Sequence, residues 1–185
     1  MGADYPDLLQ PDGTKTFRGR EFLTASAILD QWSGEPMADS WGGKAAIRSR
    51  FTQEALFAEL ALREMAADSE GWSSRWVEAY GAPWLRPHLL TSWPGHRDLA
   101  SAYAPIDNDR VNTLMAAIAE ANGRKHSGVW DVLAWHERSG RVVFFESKRR
   151  GKDAIRDSQI RWAEAAVAAG LPADSLVVVE WDFHQ

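Results

Sequence analysis

The chain contains no cysteine. This absence excludes disulfide bonds, thiolate zinc sites and cysteine nucleophiles together. The five histidines also lack the spacing of a zinc site. No apolar run is long enough to span a bilayer, and no apolar segment follows Met1 as it would in a secretory signal. These absences predict a cytoplasmic protein without a membrane partner.

Positive charge is scarce over the chain as a whole, which has a formal net charge of −5 at pH 7. A module that only coats nucleic acid is expected to be basic, so the balance disfavours that class. Residues 141–161 are an exception, because they hold seven Lys and Arg against three Asp and Glu. A local basic segment can attract a phosphate backbone, although a solvated face has the same composition.

Apolar material is abundant: 45% of the 185 residues are hydrophobic, and ten are tryptophans. This length suits one domain, and the apolar fraction is enough for a core. Tryptophan has much apolar area to bury, so most of the ten are predicted to lie in the core.

The N-terminal half is predicted to be mainly helical. Residues 1–20 have no apolar period, and Glu21–Trp32 is predicted as a helix that ends before Ser33-Gly34. Apolar residues at near-helical spacing predict a second helix from Thr52 to about Ala67, followed by an extended segment at Trp72–Tyr80. Residues 82–107 contain four prolines and are predicted to be an irregular connection.

The C-terminal part has clearer signals. A helix is predicted from Asp107 or Asn108 to Asn122. Val129–Trp135 and Arg141–Lys148 are predicted to form a hairpin. Ala154–Ala169 is predicted as a helix and Ser175–Trp181 as an apolar strand. A helix between two strands implies a crossover and a parallel pairing.

This order predicts a single α/β domain, with a mixed sheet between flanking helices. Residues 1–50 are predicted to be an N-terminal helical extension. Residues 51–81 supply the first helix and strand of the core, 82–125 form an insertion, and 126–185 carry the motifs described next.

Two charged residues end the predicted strand Arg141–Lys148. Because side chains alternate between faces, Glu146 and Lys148 share one face. Asp131 lies on the preceding apolar strand, where an unpaired carboxylate is costly to bury. A hairpin would bring it close to Glu146, and two close carboxylates repel unless a cation neutralises them. Magnesium is such a cation. An ordinary ion pair between Glu146 and Lys148 remains the alternative explanation.

Residues 128–181 resemble the PD-(D/E)XK nucleases, and more narrowly their VRR-NUC branch. The resemblance extends weakly to Glu59-Leu60-Ala61-Leu62 and Gly71-Trp72. Trp130 replaces a family proline, and Arg149-Arg150 stand where small residues are usual. The motifs that carry the resemblance are Gly128-Val129-Trp130-Asp131-Val132, Gly140-Arg141-Val142-Val143-Phe144-Phe145-Glu146-Ser147-Lys148, Asp153-Ala154-Ile155 with Gln159-Ile160-Arg161-Trp162, and Leu176-Val177-Val178-Val179.

The resemblance implies a restriction-endonuclease-like core and hydrolysis of phosphodiester bonds, in DNA rather than RNA. Asp131, Glu146 and the Ser147 carbonyl would bind Mg²⁺ or Mn²⁺, and Lys148 would position and activate the attacking water. Gln159 would contact phosphate or the metal-bound water. Glu59, the acid of the first helix, would be the third acid of the site and would hold a second metal or orient the metal-bound water.

The basic residues expected to meet nucleic acid are Arg149, Arg150, Lys152, Arg156 and Lys125. A non-catalytic binding module on a degenerate nuclease fold is the alternative. A homodimer, and endo- or exonuclease action, remain open.

Overall fold

The computed structural model describes residues 4–37, 39, 43–82 and 86–185. Parts of the predicted extension and insertion, residues 1–3, 38, 40–42 and 83–85, lie outside the described residues. Within the described ranges, a mixed sheet is flanked by three α-helices: α1 (Ala58–Ala67), α2 (Asp109–Ala121) and α3 (Asp157–Ala168). None of the helices found there has the length and apolar character needed to cross a membrane.

The sheet has nine strands among these residues: β1 (Gly13–Phe17), β2 (Arg20–Gln31), β3 (Ile47–Arg48), β4 (Ala55–Leu56), β5 (Trp72–Glu78), β6 (His88–Leu90), β7 (Val132–His136), β8 (Val142–Arg149) and β9 (Leu176–Phe183). Their order across the sheet is β4-β3-β2-β9-β8-β7-β5-β6, and β1 pairs with β2. Strand β9 is parallel to both of its neighbours, and the other pairings are antiparallel. The Val-rich β9 is therefore central, as expected for a strand covered on both faces.

The two faces of the sheet bury separate cores. Val143 and Phe145 of β8 pack with α1 on one face, and Val142 and Phe144 pack with α2 and α3 on the other. This alternation confirms the predicted faces of the strand. It also places Glu146 and Lys148, two and four residues after Phe144, on the α3 side of the sheet.

The predicted N-terminal helix Glu21–Trp32 is wrong, and so is the helical extension. These residues form β2, which runs parallel to β9 from the pair Leu23–Val177 to the pair Leu29–Phe183. Buried and exposed positions alternate along its second half, where Ala27 and Leu29 are buried and Ile28 is 45% exposed. Without β2, the backbone groups along one edge of β9 would have no hydrogen-bonding neighbour. This requirement of the tertiary structure overrides the local helical pattern.

Helix α1 begins at Ala58 instead of Thr52, because Ala55–Leu56 pair with β3. Helix α2 lies where it was predicted: the Asn108 side chain accepts a hydrogen bond from the Val111 N–H at 3.1 Å, and Gly123 follows the helix with φ of 70°.

The irregular connection predicted for 82–107 is wrong in part. It contains β6, which pairs with β5, and a 3-10 helix at Leu99–Ala102. The predicted β7–β8 hairpin, helix α3 and parallel β8–β9 pairing are confirmed.

Candidate active site

The candidate site lies at the C-terminal end of β8. A cleft of about 780 Å³ is lined there by the end of β8, the residues just before β7 and the first turns of α1 and α3. All the residues predicted to be catalytic or to bind metal line this cleft: Glu59, Asp131, Glu146, Ser147, Lys148 and Gln159. The hairpin register and the crossover to α3 bring them together from positions up to a hundred residues apart.

Three buried side chains form a network at the base of the cleft. The Lys148 Nζ lies 2.7 Å from Glu146 Oε1 and donates to Gln159 Oε1 at 3.2 Å. Gln159 Nε2 in turn donates to Glu146 Oε1. Gln159 Oε1 also accepts from the backbone N–H of Arg156 at 2.9 Å, which caps the start of α3. Gln159 therefore couples the helix N-terminus to the ion pair, and the two charged groups have fixed positions.

One carboxylate oxygen at this site has no hydrogen-bond partner in the part of the chain that the structure describes. Glu146 is 1% exposed, and its Oε2 is buried without a donor among those residues. Asp131 is better satisfied, because its Oδ2 accepts from the Ser147 N–H at 2.8 Å across the hairpin. An unsatisfied buried acceptor is expensive, and in native proteins it calls for a specific explanation such as a bound ion.

The acidic groups perturb each other electrostatically. Burial raises the pKa of Asp131 well above its ordinary value of 3.8, and the negative charges of Glu146 and Glu59 raise it further. Burial also raises the pKa of Glu146, while Lys148 opposes that rise. Burial is the largest cause of both shifts, so both carboxyl groups are disfavoured in their charged form, which a bound cation would stabilise.

The oxygen ligands available here suit a hard divalent cation that binds only a few protein atoms. Carboxylate and carbonyl oxygens are the ligands that Mg²⁺ and Mn²⁺ prefer, and Mg²⁺ commonly takes only one or two carboxylates. Within the described ranges, no three His, Asp or Glu side chains lie close enough together to hold a metal. The residues present therefore fit a site of Asp131, Glu146 and the Ser147 carbonyl better than one that also includes Glu59.

Glu59 is directed to the cleft but has another partner. It lies in the first turn of α1, is 8% exposed, and pairs with the Lys44 ammonium group. Glu64, one turn later, instead accepts from Ser49 Oγ at 2.6 Å. Of these two acids on α1, only Glu59 lines the cleft.

The predicted basic residues occupy three different settings. Lys152 and Arg156 line the cleft, and Arg150 is exposed beside it. Arg149 also lines the cleft, but its guanidinium lies 4.6 Å from the Phe183 ring centre and 3.8 Å from Asp182. Lys125 lies in a separate groove between α2 and α3. Exposed positive charge at the cleft thus comes mainly from the loop between β8 and α3.

Several cleft residues carry no signal in the sequence. Lys44, Tyr80 and Arg97 reach the cleft from connections whose paths depend on the whole fold, and Glu78 reaches it from the end of β5. Trp181 closes one side, and its indole N–H donates to Ser147 Oγ at 3.0 Å. Only Trp181 belongs to a segment that the motifs cover.

Comparison with protein-family models, with curated proteins and with solved structures gives no match to this chain. The case for a function therefore depends on the geometry of the cleft and on the motif resemblance.

The raised pKa of Asp131 predicts a pH-dependent stability when EDTA keeps metal away. Folded Asp131 holds its proton at pH values above 3.8 where unfolded aspartate has lost it. The unfolded chain then binds fewer protons, so the free energy of unfolding should fall as the pH rises through this window. Asp131→Asn keeps the acceptor for the Ser147 N–H and removes the charge, so the variant should be more stable than the parent at neutral pH. Urea unfolding at a series of pH values measures the difference.

The control for this prediction is Glu70→Gln. Its side chain is 91% exposed and pairs with Arg138 at the far end of the hairpin. This variant should keep the pH dependence of the parent. If the free energy of unfolding depends on pH in the same way in Asp131→Asn as in the parent, then Asp131 is not the source of the pH dependence.

Proposed function

We propose that this protein is a metal-dependent nuclease of the PD-(D/E)XK kind that hydrolyses phosphodiester bonds in DNA. The proposal includes a restriction-endonuclease-like core, made of α1, β5, β7, β8, α3 and β9. The observation that carries it is the arrangement of Asp131, Glu146 and Lys148 at one sheet end, where one buried carboxylate oxygen has no hydrogen-bond donor within the described ranges. An isolated ion pair would not require the second carboxylate beside it.

Each residue has a distinct task in this proposal. Asp131, Glu146 and the Ser147 carbonyl would hold Mg²⁺ or Mn²⁺, which supplies positive charge to the phosphate as negative charge develops there. Lys148 is held by Glu146 and Gln159, so its ammonium group can hold a water molecule in line with the phosphorus. Gln159 keeps Lys148 oriented, and Lys152 and Arg156 attract the phosphate backbone.

The reaction is an ordinary hydrolysis. The water oxygen forms a bond to phosphorus, and the bond from phosphorus to one bridging oxygen breaks. The departing oxygen takes a proton from solvent, and the attacking water loses one. No oxidant or second substrate is needed, and two nucleic-acid ends are the products.

Plasmid DNA incubated with the protein provides the first test. We expect nicking or linearisation with Mg²⁺ or Mn²⁺ and none with EDTA. Asp131→Asn should be inactive although folded. DNA that is bound but left intact with either metal would contradict the nuclease and favour the non-catalytic binding module.

We further expect DNA binding to weaken with salt through the loop between β8 and α3. Phosphate contacts release counterions, so affinity falls steeply as salt rises. The double variant Arg150→Glu, Lys152→Glu should bind all DNA sequences about tenfold or more weakly and with a shallower salt dependence. Fluorescence anisotropy with labelled DNA over a salt series measures both quantities.

Arg149 is not suitable for this test, because its guanidinium packs against Trp181 and Phe183 and its loss would disturb them. The matched control is Arg138→Glu. That side chain is 77% exposed, at the turn between β7 and β8, far from the cleft along both strands. The double variant changes the net charge by −4 and Arg138→Glu by −2, so a loss of binding free energy in Arg138→Glu that is half the loss in the double variant would mean that only the net charge matters.

A further inference from the structure

Lys44 brings a second ammonium group into the acidic cleft. It lies in the connection between β2 and β3, outside every motif of the C-terminal part. Its Nζ contacts Glu59 Oε1, and the two side chains are 31% and 11% exposed. A half-buried lysine facing a buried glutamate is more than a mobile surface pair, because both groups have lost most of their water.

The charges around Lys44 show what it neutralises. The carboxylates lining the cleft near it are Glu59, Glu78 and Asp131, and all three act electrostatically on its ammonium group. Lys148 is engaged by Glu146 and Gln159. Lys44 is therefore the cation that offsets the Glu59 side of the cleft, opposite the Lys148 side.

We infer that Lys44 is an internal counter-ion of the cleft: its ammonium group neutralises Glu59 and opposes the binding of a divalent cation at Asp131 and Glu146. The inference rests on the metal site of the proposed function. A cation beside Asp131 would be repelled by the ammonium group, which itself acts electrostatically on Asp131. Lys44 thus weakens metal binding.

The unpartnered Glu146 oxygen separates the position of the lysine from that of the metal. Lys44 reaches Glu59 but not Glu146 Oε2, which has no hydrogen-bond partner among the described residues. The lysine therefore stabilises one side of the acidic cluster and leaves the other unsatisfied. A cation held by Glu146 and Asp131 would satisfy what the lysine cannot reach, and the two positive charges would then repel each other across the cleft.

Calorimetric titration with Mn²⁺ alone, without DNA, tests the inference. Lys44→Met removes the charge and keeps most of the side-chain volume, so its Kd for Mn²⁺ should be about tenfold lower than that of the parent. Lys44→Arg keeps the charge and should bind Mn²⁺ like the parent. The matched control is Lys15→Met, which removes a lysine from its pair with Glu180 at 2.6 Å, outside the cleft. Its Kd should equal that of the parent.

A second measurement uses the parent protein and needs no substitution. Acetylation of Lys44 by an amine-reactive reagent, followed by mass spectrometry, should increase when Mn²⁺ is added, because a nearby divalent cation favours the neutral amine, which is the form that reacts. Acetylation of Lys15 should not change. An unchanged Lys44 reactivity at saturating Mn²⁺ would show that the bound cation does not act on the ammonium group, and this would overturn the inference even if Lys44→Met failed to fold.

The outcomes separate the inference from the proposed function. Equal Kd values for the parent and Lys44→Met overturn the inference about Lys44. They do not bear on the proposed nuclease activity, which the plasmid assay tests. Mn²⁺ binding that is tighter in Lys44→Met, in a protein that never cuts DNA, supports the counter-ion and contradicts the nuclease. A lack of Mn²⁺ binding by every variant overturns both.

Discussion

Lys148→Ala is expected to reduce Mg²⁺-dependent DNA cleavage about 10³-fold, which is the scale of a lost positioned acid–base group. Lys148 is the cation fixed at Glu146 and Gln159, whereas the phosphate backbone is also attracted by exposed residues of the neighbouring loop. Its loss should therefore affect the chemical step far more than DNA binding. Single-turnover cleavage of labelled DNA, with binding measured in EDTA, separates the two.

The structure adds a stability cost to this substitution. Lys148 is 7% exposed and Glu146 1%, so removing the lysine leaves a buried carboxylate without its cation. Breaking a buried pair costs about 3–5 kcal/mol of stability. We therefore expect Lys148→Ala to unfold at lower urea than the parent in EDTA, and to regain part of the loss with Mn²⁺.

Lys152→Ala is the matched control, because Lys152 lines the same cleft but is exposed. It should slow cleavage much less than Lys148→Ala and leave stability nearly unchanged. If a folded Lys148→Ala protein cuts DNA at the rate of the parent, Lys148 has no part in the chemical step.

The Asp131–Glu146–Lys148 arrangement could be predicted because it depends on short-range geometry. Glu146 and Lys148 lie on β8, and the alternation of side chains settles that they share a face. Asp131 lies one residue before β7, which one tight turn joins to β8. Pairing across the hairpin then brings Asp131 next to Ser147, where the hydrogen bond of 2.8 Å is found.

The pairing of Lys44 with Glu59 could not be predicted in the same way. Lys44 lies outside the described helices and strands, and no periodicity specifies where such a residue is placed. Glu59 itself was a candidate only because of a weak resemblance in the first helix. Contacts that depend on the path of a loop require the complete fold.

The N-terminal strand shows how a local pattern can mislead. Phe22, Leu23, Ile28 and Leu29 are compatible with a helix face, and no glycine or proline interrupts residues 20–31. Residues 25–30 alternate between buried and more exposed positions, as in a strand. The choice is made by β9, which needs a second parallel neighbour. The segment predicted to be an extension is thus part of the central sheet.

Leu29→Asp and Ile28→Asp should differ sharply in stability because of this strand. Leu29 is 5% exposed in the core beneath α1, whereas its neighbour Ile28 is 45% exposed on the other face of β2. An aspartate at position 29 buries a charge without a partner and should cost about 4 kcal/mol or more. The same change at position 28 should cost less than about 1 kcal/mol, mostly from strand propensity. Urea unfolding followed by tryptophan fluorescence measures both, and each variant is the control of the other. In the helix that the local pattern favours, both residues belong to the packed face, so equal destabilisation would contradict the pairing of β2 with β9.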